Sequence, residues 1–508
     1  VGAQEPASGV TVADPVASRR WWVLFAASAA ALLAWSFGFP ILAGPDEGPH
    51  AARAAAAARG QLTGPVVTRV TDQMLVRVPE AYRHFDRAAC FQASPFNPRP
   101  PDLSARCVPS FRGGWRLVEV GTYEFRGFPL PYAAVGLPTL AAPDRTGMYL
   151  MRVVGALVGA ALIAGALAST WRSGRAAPPA ALGVLVALTP VVWHLGGLVN
   201  PNGLEILAAV CLWSSLAALT TADGDRARLV DRAGFALVVL VAARPFGPLV
   251  AVVAFAAVTG LATPARRSAL HAAARLPRAR TWLTLAVAVT VMHGAWLVGY
   301  GLRHPTDRPA LGLIESLRRW PRLGREAVGL FGANALPAPR AVLWVWAAVT
   351  VGVLAAGWWG ATRRGRTVLA AVAAVGFVLT TGADGFNLPP IGFDWQGRYG
   401  LPLYVGLPIL AGHLAASATA RRAAAQTARL DRAARVGVVL LAAAQVVAFV
   451  AVARRVGMGD PSGWEVLDFV TRPVWSPPLP PALGLAAFTA GMVTLAATVV
   501  TRWEPRAR

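Results

Sequence analysis

The chain has no lysine, so all 48 of its basic residues are arginine, set against 25 aspartates and glutamates for a formal net charge of +23. With the abundance of alanine this marks a GC-rich coding bias, which says nothing about function. Charge of any sign is scarce: 14% of the 508 residues, against about 25% in soluble globular chains. Mean hydropathy is +0.50. A soluble enzyme and a disordered tail are both excluded as descriptions of the whole. Three cysteines are too few for a disulfide-built secreted scaffold. Also missing, in the context each needs, are a metal-ligand pair, a Walker loop, a dinucleotide fingerprint and a nucleophile elbow.

What the chain has instead is a series of apolar runs near the ~20 residues of a bilayer crossing. The first covers 21–43 behind Arg19 and Arg20. It is too long for a signal-peptide core and reads as a retained helix with a cytoplasmic N-terminus. Others lie near 148–170, 179–197, 201–221, 282–302, 340–361, 367–383, 401–420, 436–454 and 484–501. The run 232–262 is interrupted by Arg244-Pro245-Phe246-Gly247-Pro248. If it crosses twice, loops 263–281, 363–366 and 421–435, each rich in arginine, all fall inside, as the positive-inside rule asks. The expectation is an all-α integral membrane protein of about 12 transmembrane helices, multi-pass in the plasma (inner) membrane, with both termini cytoplasmic. Its parts are a lead over 1–20, a transmembrane module over 21–454, and a last loop, helix and basic tail over 455–508.

Arginine clusters that flank spans are explained by orientation and by the lipid bilayer's anionic headgroups. They lack the interleaved aromatics of a stacking platform. No nucleic-acid partner is expected, despite a pI near 11.5.

This topology leaves 44–147, 303–339, 384–400 and 455–483 outside. The first is too long to be a plain connector and holds Cys90 and Cys107, which an oxidising exterior would pair as a disulfide. Cys211 falls within a span, as a small packing residue. In the second segment Leu311, Ile314, Leu317, Trp320 and Leu323 recur every three residues, with Arg318, Arg319, Arg322 and Arg325 between them. That pattern predicts a helix lying in the membrane interface, as a guide for a lipid substrate or as a plain collar.

Candidate chemistry gathers at span ends. Pro45-Asp46-Glu47-Gly48-Pro49-His50 follows the first span, and Pro49 and Gly60 suit the start and end of a short helix. His50 and Arg53 would share one face of it. Carboxylates at this depth are costly, so Asp46 and Glu47 are candidates for a general base or for ligands of a divalent cation such as Mg or Mn. Helix capping is the plainer reading. Asp394-Trp395-Gln396-Gly397-Arg398-Tyr399 stands just before the span at 401. Arg398 there would clamp a phosphate with planar donors, while Trp395 and Tyr399 also suit simple interfacial anchoring. Arg244 sits in the broken run, where irregular backbone usually lines a cavity. Asn200 and Asn202 belong to a tight turn before Glu205. His194, His293 and His413 stand alone on apolar spans and read as core residues.

Several of these pieces together resemble one family. PDEGPHAARAAAAARGQL at 45–62, the two loop cysteines, RGFPLPY at 126–132, VNPNGLE at 199–205, VGLFGANALP at 328–337 and QGRYGLPL at 396–403 are similar, in order and spacing, to the polytopic membrane family called domain of unknown function 2142 (DUF2142). Where that pattern has a longer aromatic stretch after the histidine, this chain has Ala-Ala-Arg and polyalanine. The family is similar in turn to GT-C-type glycosyltransferases, multi-pass enzymes that use polyprenyl-phosphate sugars. The resemblance implies a GT-C-like module with a long first external loop. It places Asp46, Glu47 and His50 in catalysis, with substrate contacts from Arg53, Arg244, Asp394, Arg398, Tyr399, Asn200 and Asn202. The implied partners are a polyprenyl-phosphate-linked sugar and an envelope glycan or lipid-linked acceptor. A transporter or flippase of lipid-linked saccharides is the alternative.

Overall fold

The computed structural model describes residues 15–68, 72–93, 104–172, 175–220, 225–301, 309–387, 395–418, 422–459 and 468–501. Among them nine helices are long and apolar enough to cross a membrane, or ten if one sharply bent pair counts as a single crossing. The first helix, α1 (Pro15–Gly38), stops short of the expected 43, because Pro40 cannot continue it. After it come two short helices of the 44–147 loop, α2 (Glu47–Ala58) and α3 (Pro129–Gly136), and then α4 (Arg145–Ala168).

The span expected over 179–197 is instead two helices, α5 (Pro178–Ala187) and α6 (Pro190–Gly196), bent by 65°. Thr189 precedes a proline and is held extended at φ −61°, ψ 161°, since the ring of Pro190 disfavours helical backbone before it. The same rule acts on the run 232–262. After α7 (Pro201–Leu219) it forms α8 (Arg226–Ala243) and α9 (Gly247–Leu261), with Arg244 extended before Pro245. The expected break is therefore real. Counting α8 and α9 as one crossing each agrees with the twelve expected.

The chain continues through α10 (Pro264–Ala274), α11 (Pro277–Trp296), α12 (Pro309–Gly329), α13 (Arg340–Gly360) and α14 (Arg363–Asn387). Next come α15 (Gly397–Tyr404) and α16 (Gly406–Ser417), which together form one span. The 35-residue α17 (Ala424–Met458), the single turn α18 (Asp468–Thr471) and α19 (Pro481–Val500) complete it. The last helix returns to pack against α1.

The 44–147 loop is a folded cap, and here the all-α expectation is modified. A three-stranded antiparallel sheet runs β1 (Val66–Thr68), β2 (Asp72–Pro79) and β3 (Leu117–Thr122), with Val76 opposite Val120. Met74, Val76 and Val78 alternate inward along β2, and β2 and β3 both pack against α2. The polyalanine of α2 is buried as far as Ala57, with Ala51, Ala52 and Ala54 to Ala56 wholly inaccessible. Small side chains let neighbours approach from every side. A Cβ on Gly136 of α3 would stand 2.1 Å from the Ala54 carbonyl oxygen, so only glycine fits there.

The Cys90–Cys107 disulfide is formed, with Cα atoms 6.2 Å apart and a sequence separation of 17. Closing a loop of this size stabilises by about 3 kcal/mol in the chain-entropy account. The Cys90→Ser/Cys107→Ser variant should therefore unfold at lower temperature than wild type. Thermal unfolding in detergent, with and without reductant, measures this, and an unchanged midpoint would contradict it.

The arginine-rich helix α12 corrects one expectation. Leu311, Ile314 and Leu317 are exposed, as is Arg318, but Arg319 turns inward. Its guanidinium meets Asp384 of α14 at 3.3 Å and donates to the Trp395 carbonyl at 2.9 Å. Glu326, also buried, accepts from the Gly397 amide at 2.8 Å. The helix is thus pinned along one side to α14 and to the start of α15.

Candidate active site

The end of α1 leaves carbonyls without helical partners, and Arg152 of α4 supplies them. Its Nη1 donates to the carbonyls of Ser36 and Phe39 at 2.6 and 2.7 Å, and its Nη2 to that of Pro40 at 2.8 Å. Nε and Nη2 also grip Glu47 at 2.6 and 2.7 Å. All five guanidinium donors are satisfied. The amides of Gly44 and Val199 donate to the same carboxylate, each at 3.1 Å. Both side chains are fully buried. Four donors occupy the oxygens of Glu47, expected to share the role of base or metal ligand, and through them it holds the loop.

Asp46 goes the other way. Its backbone is left-handed at φ 55°, a region open mainly to glycine, asparagine and aspartate. The turn leaves Asp46 partly open, while every other residue from 41 to 50 is buried. Oδ1 accepts from the Tyr123 hydroxyl and Oδ2 from Arg398 Nη2, both at 2.8 Å. Burial alone would raise this carboxyl's pKa, but Arg398, His50, the Tyr123 hydrogen bond and Arg244 outweigh it and hold it below the usual carboxylate range. Asp46 is an anion at neutral pH. Burial, then the nearby Asp46 charge, push the Tyr123 phenol well up, so it stays a donor.

One turn along α2, His50 Nδ1 lies 2.8 Å from the Tyr132 hydroxyl and 3.6 Å from Glu124. Burial lowers the imidazole pKa, with Glu124 and Asp46 only partly opposing it. A neutral buried histidine binds fewer protons than its unfolded counterpart, so its stabilising contribution is complete above about pH 6.5 and is lost as pH falls toward the folded value. Between pH 7.5 and 5.5 the wild-type unfolding midpoint should drop more than that of His50→Gln. Parallel slopes in the two proteins would remove His50 as the titrating group.

Arg53, three residues on, is buried against the Trp296 ring at 5.6 Å and donates to the Gln61 carbonyl at 3.2 Å. Burial lowers its pKa to about 10, and its Nε and Nη2 are buried without a hydrogen-bond partner among the described residues.

From the far side of the sequence come the cations. The guanidiniums of Arg244 and Arg398 both lie over the Tyr399 ring, at 4.7 and 4.9 Å from its centroid. Arg398 is nearly buried, also touches the Tyr399 hydroxyl at 3.2 Å, and keeps a buried Nε with no partner among the described residues. Arg244 Nε is 3.8 Å from Glu205. Glu205 accepts from Asn202 Nδ2 at 2.9 Å, and Asn200 Nδ2 donates to the Pro45 carbonyl at 2.8 Å. Asn200 thus braces the Asp46 turn, while Asn202 orients Glu205. Asp394 lies outside the described residues.

The structure therefore unites Asp46, His50, Arg244, Arg398 and Tyr399, and adds Tyr123, Glu124, Tyr132 and Glu205. Tyr132 lay within RGFPLPY, and Glu205 within VNPNGLE. Tyr123 and Glu124 had no signal in the sequence. His194 is a core residue as expected, edge-on to Trp35 and Phe39. Among the described residues no group of three histidine, cysteine, aspartate or glutamate side chains is placed to hold a metal ion.

Apolar crossing helices around a charged centre, roofed by a folded loop, define a multi-pass membrane protein with a polar site at one end of its helices. The chain belongs to the DUF2142 family, described as predicted membrane proteins, whose model matches residues 30–407. A crystal structure of ArnT from Cupriavidus metallidurans bound to undecaprenyl phosphate is similar at 17% identity and a TM-score of 0.39, over 94% of this chain and 77% of that one. No curated protein matches the chain.

Proposed function

We propose that the protein is a GT-C-type membrane glycosyltransferase, moving a sugar from a polyprenyl-phosphate donor to a cell-envelope acceptor on the external face. The observation that carries this reading is one open carboxylate, Asp46, hydrogen-bonded to one of two guanidiniums that share the face of Tyr399. Two cations so close, one with a buried donor that no described residue satisfies, make a site that an anionic phosphate would complete.

In this mechanism Asp46 takes the proton of an acceptor hydroxyl, whose oxygen attacks the anomeric carbon from the side opposite the phosphate. The carbon–oxygen bond to the phosphate breaks, and polyprenyl phosphate leaves with the electron pair. Arg398 and Arg244 stabilise the charge that develops there. Arg398 also explains how a weak base is strengthened: a phosphate that draws its guanidinium away lets the Asp46 pKa rise. A divalent cation does not fit the donors present, because Glu47 is spent and the oxygens of Asp46 face Tyr123 and Arg398. No step is routed through one.

The test uses purified protein in nanodiscs with a panel of radiolabelled polyprenyl-phosphate sugars and an envelope glycan extract. Label should move to the acceptor. A folded protein that transfers from no donor in the panel overturns the reading. The second reading, a transporter of lipid-linked saccharides, draws on the breaks at Thr189 and Arg244, since interrupted helices often line transport sites. Flipping of the same lipids in liposomes without transfer would favour it.

A further inference from the structure

The opposite end of α8 and α9 holds a second feature that the proposed chemistry does not use. A cavity of about 690 Å³ opens between α7, α8, α9, α10 and α11, within the ~300–1,000 Å³ range of ligand pockets. Gly234, in its wall, precedes Arg244 by ten residues, so it lies about 15 Å from the candidate site along the helix. The interior is apolar, built from side chains such as Leu219, Leu237, Phe255, Val258 and Leu283.

The mouth is different. Arg267 and His271, four apart on one face of α10, and Arg280 in the first turn of α11 stand at its edge, all exposed. None of the three side chains makes a hydrogen bond or ion pair among the described residues. Their acidic neighbour is already committed: Asp231 takes Arg278 at 2.5 Å and the Trp282 indole N–H at 3.1 Å. Trp282 is itself a wall of the cavity, and a tryptophan with its N–H turned to a polar group marks headgroup depth. The segment 263–281 carries five arginines and no acid.

We infer that this cavity is a binding site for an anionic phospholipid of the adjoining leaflet. Its acyl chain fills the apolar interior, and its phosphate sits between Arg267, His271 and Arg280. An apolar slot with an unneutralised basic rim is complementary to an amphiphile with a negative head. A zwitterionic lipid would leave that charge unmatched. The site is independent of the transferase reading, because no residue is shared with the Asp46 centre.

The experiment is native mass spectrometry of the full chain, delipidated in detergent and titrated with phosphatidylglycerol, phosphatidylcholine or inorganic phosphate. Phosphatidylglycerol should bind about tenfold more tightly than phosphatidylcholine, and the Arg267→Gln/Arg280→Gln variant should lose about that factor. Inorganic phosphate should not compete. Ala256→Trp, which fills the cavity from its wall without changing charge, should lose phosphatidylglycerol while remaining monodisperse. Equal binding of the two lipids, or full binding by either variant, overturns the assignment. So does displacement of phosphatidylglycerol from the wild type by a polyprenyl phosphate, which would make the site one for the donor's carrier.

Discussion

Glu47→Gln is expected to cost about 3–5 kcal/mol of stability, the range found when one partner of a buried ion pair is removed. The substitution leaves the Arg152 guanidinium charged at a position with no solvent access. It also replaces an acceptor by an amide donor, whose N–H groups then face Arg152 or the amide of Gly44 or Val199. Arg152→Met should cost a similar amount for the complementary reason. It strands the carboxylate and the carbonyls of Ser36, Phe39 and Pro40 together. Because both changes break one network, the double variant should be less destabilised than the sum of the two. Thermal unfolding of the three proteins in nanodiscs measures this, and a midpoint for Glu47→Gln equal to wild type would falsify the structural role. In the proposed mechanism loss of transfer in Glu47→Gln should follow loss of folding, since the pair fixes the turn that presents Asp46.

Sequence alone could not separate these two carboxylates. Asp46 and Glu47 are adjacent, equally acidic and equally close to the membrane. What divides them is a left-handed turn and an arginine concealed within an apolar run, 105 residues away. Features with local causes were legible. The break at Arg244-Pro245 carries both a charge and a proline, whereas Leu188-Thr189-Pro190 sits in an uninterrupted apolar run and passed for a continuous span. The helix of 309–329 was readable from its period, but Arg319 looked like its neighbours because its partner, Asp384, lies 65 residues on. Arg398 stood out as a cation at a span mouth. That it meets Asp46 across 352 residues is a property of helix packing that no local pattern encodes. Tyr123 and Glu124 sit at the end of β3, where nothing in the sequence but their polarity sets them apart.

Asp46→Asn should separate chemistry from folding in the way Glu47→Gln cannot. Asparagine keeps one oxygen acceptor for Tyr123 or Arg398, and the side chain is partly open, so the unfolding midpoint should stay near wild type. Removal of a positioned base lowers the transfer rate by about 10²–10⁴, and this loss should fall on kcat. Arg398→Gln gives the sharper test through pH. Arg398 is the largest influence holding the Asp46 pKa down, and its removal lets burial raise that carboxyl. In the proposed mechanism transfer requires the ionised form, so kcat/KM, which reports the donor-free enzyme, is lost as pH falls through the Asp46 pKa. In wild type that acid limb lies below the ordinary carboxylate range, and in Arg398→Gln it should move to higher pH, with a raised KM for the phosphate-bearing donor. An acid limb that stays in place while KM rises would leave Arg398 as a phosphate clamp and deprive Asp46 of its role as base.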